Sequence, residues 1–90
     1  MFENLEQLIK TIRERKDSFQ DTSYTNKLLN DKNLSVSKVK EEISELIESV
    51  EKNSNKIHEA ADVMYHLMVY LEANNIKIED VMNELKKRQK

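Results

Sequence analysis

An all-α chain is predicted, a small bundle of four to five helices, and two observations carry that expectation. Apolar residues recur at helical spacing almost everywhere along the 90 residues. Glycine and proline are both absent, and the tight turns of β-hairpins lean on those two residues.

The first helix is expected from about Asn4 to Lys16, with Phe2, Leu5, Leu8, Ile9 and Ile12 on one side. The stretch from Asp17 to Asn33 is rich in Asp, Ser, Thr and Asn, and reads as loop with a short helical turn around Thr25 to Leu29. A longer helix follows with Val39, Ile43, Leu46, Ile47 and Val50 on one face, capped by Ser35 or Ser37. Asn53-Ser54-Asn55 ends it, because Asn tolerates the left-handed conformation that glycine would otherwise supply.

The next helix, from about Lys56 to Ala73, has a different character. Between Ala60 and Leu71 only Asp62 and His66 are neither apolar nor aromatic, and a helix apolar nearly all round is a buried one. Met64, Met68 and Met82 read as core filler. After Asn74-Asn75 the last helix points Ile78, Val81, Met82 and Leu85 inward, with Glu79 and Asp80 in its first turn and Lys86-Lys87-Arg88 in its last. That charge order suits the helix dipole. No repeat, low-complexity tract or linker interrupts the chain, so residues 1–90 are expected to form one domain.

Composition narrows function by exclusion. A chain without glycine has no phosphate-cradling loop. A chain without cysteine has no disulfide, no thiolate metal site and no cysteine nucleophile, which fits a reducing compartment. Fifteen Lys and Arg against seventeen Asp and Glu give a net charge of −2, and a general nucleic-acid binder would show a basic surplus. The opening Met1-Phe2-Glu3-Asn4-Leu5-Glu6 is unlike a signal peptide, and no apolar stretch approaches a membrane span. A soluble cytoplasmic protein is expected, with neither nucleic acid nor membrane as partner. A helical domain this small buries a modest core, so self-association is an expected supplement.

The carboxylates carry the chemistry. Glu59, Asp62 and His66 form one narrow polar stripe on the apolar helix. An unpaired carboxylate in such surroundings costs roughly several kcal/mol or takes up a proton. On the preceding helix Glu42 and Glu45 flank the apolar face, one turn apart, and Glu41 and Glu48 extend the acidic strip. A short turn joins the two helices, so they should pack antiparallel and bring both strips together. Four facing carboxylates repel unless cations lie between them, and an all-oxygen set suits Mg²⁺, or Mn²⁺, better than zinc. A solvated face is the plainer reading of Glu41, Glu48 and Glu51. His66 also reads as a satisfied core histidine, and Tyr65 and Tyr70 as packing residues. The di-iron bundles are set aside, since neither His58 nor His66 has a Glu three residues before it.

The pair Glu42-x-x-Glu45, followed after thirteen residues by Glu59-x-x-Asp62, resembles the metal-binding signature of the MazG-like all-α nucleoside-triphosphate pyrophosphohydrolases. Within that superfamily the chain is most similar to the phosphoribosyl-ATP pyrophosphohydrolases of histidine biosynthesis. The matching stretches are Glu14-Arg15-Lys16, Ser23-Tyr24-Thr25 with Leu28-Leu29, Lys38-Val39-Lys40-Glu41-Glu42 with Glu45, Glu59-Ala60-Ala61-Asp62 with Tyr65-His66-Leu67, and Leu85 with Arg88. Asn, Lys and Ser stand where the family usually carries glycines, and Lys77 where it carries a serine cap.

The resemblance implies hydrolysis of phosphoribosyl-ATP to phosphoribosyl-AMP and pyrophosphate, the second step of histidine biosynthesis, with Mg²⁺ as cofactor and Mn²⁺ as a substitute. It assigns Glu42, Glu45, Glu59 and Asp62 to the metal. Glu41, Glu42 and Glu45 become the catalytic group, with Glu41 an outer ligand or base. Arg15, Lys16 and Lys38 become phosphate partners, although solvated surface is the alternative for the two lysines. Tyr24 and Thr25 would meet ribose or base, and His66 would orient a carboxylate or the substrate. A homodimer with sites completed across its interface is also implied. Two rivals remain: a housecleaning (deoxy)nucleoside-triphosphate pyrophosphatase, and a non-catalytic helical module whose acidic strips meet a basic partner.

Overall fold

The computed structural model describes residues 1–18 and 22–89. Those residues form five helices and no strand: α1 (Glu3–Lys16), α2 (Tyr24–Asn30), α3 (Lys32–Lys52), α4 (Lys56–Ala73) and α5 (Ile78–Arg88). Part of the segment read as loop, residues 19–21, lies outside the described residues.

The rest of that segment is more helical than its composition suggests. Ser23 caps α2, its hydroxyl accepting from the Asn26 N–H at 3.1 Å. Asp31 then ends α2 and caps α3, its carboxylate accepting from the Leu34 N–H at 3.0 Å. The cap is therefore Asp31 and neither Ser35 nor Ser37. The reason is burial: Ser35 is 2% exposed, within the helix, while exposed Asp31 serves as cap without desolvation. At the other end of α3 the asparagines act as expected. Asn53 and Asn55 hold φ of 53° and 58°, and the Ser54 N–H returns to the Ser49 carbonyl at 3.0 Å, closing the helix in the manner usually left to glycine.

α4 is the central element. It packs most extensively on α3 and also against α2 and α1. Its C-terminal half supplies Met68, Val69 and Ala73 to an apolar core completed by Ile12 of α1 and Leu28 and Leu29 of α2. Its N-terminal half lies against α3 and carries the polar stripe.

Two expected apolar faces are turned differently. The buried residues of α3 are Ser35, Glu42 and Ser49, spaced by two turns along one line. Ile43, Ile47 and Val50 are 42%, 55% and 57% exposed. Facing Glu42 toward α4 rotates the apolar stripe about 100° round the helix axis, away from α4. α5 packs only lightly on the bundle. Ile78 touches the core, whereas Met82 and Leu85 are each 49% exposed. The bidentate bond from Arg13 to Glu79, at 2.6 and 2.9 Å, fastens the first turn of α5 to α1. Of the three methionines read as core, only Met68 is buried. No helix among the described residues is long and apolar enough to cross a membrane.

Candidate metal and substrate site

The short α3–α4 turn folds the two helices back on each other, and their carboxylates meet. Oxygen atoms from Glu42, Glu45 and Glu59 all lie within 4.8 Å of one another, as do ligand atoms of His58, Glu59 and Asp62. Glu59 belongs to both groups, so the two form one continuous patch. Oε2 of Glu42 and Oε2 of Glu59 are buried with no hydrogen-bond partner among the described residues.

Such oxygens are costly. Burial first, and then the Glu45 carboxylate beside it, push the Glu42 carboxyl above its ordinary range, with His66 acting in the opposite direction. Burial and Glu45 likewise raise the Glu59 carboxyl. A cation between the helices would satisfy the orphaned oxygens and remove the repulsion together. The set is all carboxylate at Glu42, Glu45 and Glu59, a hard donor set that fits Mg²⁺ or Mn²⁺.

A second arrangement adjoins the acids. His66, 7% exposed, bonds through Nδ1 to the Asp62 main-chain carbonyl at 2.8 Å. A carbonyl only accepts, so Nδ1 carries a proton, and Nε2 shares a hydrogen bond with the Tyr24 hydroxyl at 3.1 Å. The Tyr24 ring stacks on Tyr65 at 6.4 Å, and the Tyr65 hydroxyl bonds to Thr25 Oγ1. Burial holds the Tyr24 hydroxyl above its usual pKa, opposed by the nearby Lys38 ammonium. Lys38 in turn pairs with Glu41 at 3.2 Å. Tyr24, Thr25, Lys38, Glu41 and His66 thus gather along one side of the acid patch.

The structure does not bring every predicted residue there. Lys16 donates to the Glu72 carbonyl at 2.9 Å and to Asn75 Oδ1 at 2.8 Å. Glu72 lies ten residues beyond Asp62, about 15 Å along α4. At that helix C-terminus a cation finds free carbonyls and the negative end of the dipole, which accounts for its position. Arg15 is exposed on α1, and its main-chain carbonyl accepts from Asn26 at 2.9 Å. Asp62 stands at the outer edge of the patch, 3.3 Å from His58. His58 and Tyr65 were not singled out as site residues by motif. The signals for them are His58 standing four residues before Asp62, and Tyr65 sharing a helix face with Asp62.

An all-α bundle with a carboxylate patch containing unpartnered oxygens, bordered by a hydroxyl–imidazole chain, has the hard donor set that divalent cations require, and such cations are in turn what polyphosphates bind. Residues 5–89 match the family model described as phosphoribosyl-ATP pyrophosphohydrolase. The chain belongs to that family. It is 42% identical to a phosphoribosyl-ATP pyrophosphatase of Clostridium novyi (strain NT), over 96% of this chain and 81% of that protein. It is 44% identical to one from Bacillus cereus (strain B4264), over 90% and 78% of the two chains. A histidine biosynthesis bifunctional protein of Pyrococcus furiosus is 39% identical over 96% of this chain, which spans 41% of that longer protein.

Proposed function

We infer that this chain hydrolyses phosphoribosyl-ATP to phosphoribosyl-AMP and pyrophosphate, a step of histidine biosynthesis, with divalent cations held by Glu42, Glu45, Glu59 and Asp62. The observation that carries the metal reading is the pair of buried, unpartnered oxygens on Glu42 and Glu59. A non-catalytic module binding a basic partner would offer its acids to solvent, whereas Glu42 is 9% exposed.

When bound, Mg²⁺ or Mn²⁺ would neutralise charge on the departing pyrophosphate and activate the attacking water. The chain's own residues do the rest. Lys38, half-buried beside Glu41, supplies positive charge at the rim for the polyphosphate. Glu41, held by that lysine outside the orphaned pair, is placed to accept a proton or to hold an outer water. Tyr24 and Thr25, fixed through His66 and Tyr65, offer hydroxyls to ribose or base. Lys16, committed to the end of α4, takes no part in this reading.

The second copy of the proposed homodimer covers the apolar face that α3 and α4 leave outward. Ile43, Ile47, Val50, Ile57 and Met64 are all at least 42% exposed on these two adjoining helices, and such a patch is expensive to leave in water. The cysteine-free composition suits the reducing cytoplasm, where we place the enzyme.

A side-by-side assay of pyrophosphate release from phosphoribosyl-ATP and from a panel of deoxynucleoside triphosphates tests the reading. Phosphoribosyl-ATP should turn over fastest, and only with Mg²⁺ or Mn²⁺. A preference for the deoxynucleotides would move the protein to the housecleaning class, and undiminished turnover after exhaustive chelation would remove the cations from the reaction.

A further inference from the structure

His58 lies at the edge of the acid patch, and nothing in the proposed reaction uses it. It begins the first turns of α4, four residues before Asp62 and one before Glu59. Its Nε2 is 3.3 Å from Asp62 Oδ2, and ligand atoms of all three residues fall within 4.8 Å of one another. Two donors bound at right angles to one ion, each about 2.1 Å from it, stand about 3 Å apart. The His58–Asp62 separation, 3.3 Å, is only slightly longer than that.

We propose that His58, Glu59 and Asp62 form a nitrogen-containing cation position beside the all-oxygen group of Glu42, Glu45 and Glu59, one that selects a transition-metal ion over Mg²⁺. This rests on the acid patch being a cation site at all. Independent support for that comes from Glu42, nine-tenths buried with an unpartnered Oε2, a carboxylate of which one oxygen lies within 4.8 Å of an oxygen of the same Glu59 that His58 flanks. Glu59 is shared by both groups and also has a buried, unpartnered oxygen, so an ion bound to it lies within reach of donors on either side. Imidazole is a borderline donor that adds little for Mg²⁺ and much for Mn²⁺, Co²⁺ and Zn²⁺. With oxygen donors alone the patch would have no means of ranking these ions above Mg²⁺ beyond their general order of affinity. His58 supplies one. The competing account is a simple surface ion pair between a protonated His58 and Asp62, with side chains 73% and 37% exposed. Such a pair would contribute little and would leave cation preference untouched.

Co²⁺ and Mg²⁺ are the probes, at a pH of about 7.5 where a free imidazole is neutral. Co²⁺ binding is followed by its visible absorption and by calorimetry, and Mg²⁺ by calorimetry, for the wild type, His58→Gln and Glu42→Gln. His58→Gln should weaken Co²⁺ by at least about tenfold and alter the visible band, while Mg²⁺ stays within about twofold. Because His58 is exposed, the variant should melt as the wild type does. Glu42→Gln should weaken both ions. If His58→Gln leaves the Co²⁺ band unchanged, or shifts both ions alike, the nitrogen position is refuted while the acid site stands. If Glu42→Gln also changes neither ion, or if the wild type binds neither, the acid-site reading fails and the proposal with it.

Discussion

Two carboxylate oxygens, Oε2 of Glu42 on α3 and Oε2 of Glu59 on α4, lie buried without a donor among the described residues. For Glu42 the sign of the consequence can be worked out. Its carboxyl is raised in the folded chain, so the metal-free fold favours the protonated form and loses stability as pH rises through and above the ordinary value of 4.5. The wild-type metal-free melting temperature should therefore fall over that interval, and Glu42→Gln should flatten the curve. The same variant should melt higher than wild type near neutral pH, show no upward shift with Mg²⁺, and lose at least ~100-fold in activity. Melting curves with and without the cation read all three. A lower metal-free melting temperature for Glu42→Gln would mean that its carboxylate has a stabilising partner. The residue types here were legible from sequence: the two pairs of acids at three-residue spacing and His66 on the stripe of Glu59 and Asp62, with Tyr24 entering only through the family resemblance. The site of action of Lys16 was not, because a lysine's long stem reaches any of several anions and only packing decides which.

At the scale of elements, local chemistry explains the boundaries and long-range contacts explain the departures. Asn53 and Asn55 turn α3 into α4 with positive φ. Replacing Asn53 with Ala removes the side chain best suited to that conformation. It should cost on the order of 1 kcal/mol, or about 4–8 °C in a domain this size, whereas Asn53→Gly should cost nothing. Circular dichroism melts of the pair separate a left-handed backbone requirement from a side-chain contact. α5 depends instead on a distant residue. Arg13 holds the Glu79 carboxyl down to about 2, so this contribution is fully present above the ordinary 4.5 and is lost as pH falls toward 2. The melting-temperature gap between wild type and Glu79→Gln should therefore be constant near neutrality and close across that acidic window. Parallel curves throughout would show that α5 is held by Ile78 alone. Composition suggested a loop from Asp17 to Asn33, yet Ser23 and Asp31 each supply a cap oxygen to a following helix. The same Ser and Asp that favour loops are the residues that start helices, and composition does not distinguish the two uses.

The whole molecule places its apolar core at one end of α4 and its acid patch at the other, with an apolar face of α3 outside both. If that face meets a second copy, Ile47→Asp should yield a folded monomer by light scattering while the wild type runs as a dimer. A wild-type monomer at micromolar concentration would leave the face without that partner. The sequence by itself determined the helical class, the left-handed asparagine turn and the pairing of acids at three-residue spacing within α3 and within α4, since each follows from residue type or from spacing within a few residues. Only the tertiary structure decided that α3 turns Ser35, Glu42 and Ser49 inward and its isoleucines outward, that Lys16 serves the far end of α4, and that α5 is tethered through Arg13. Helical periodicity sets the angle between two stripes on one helix, but which stripe faces a neighbour depends on the surface that neighbour presents, and that surface exists only once the chain has folded.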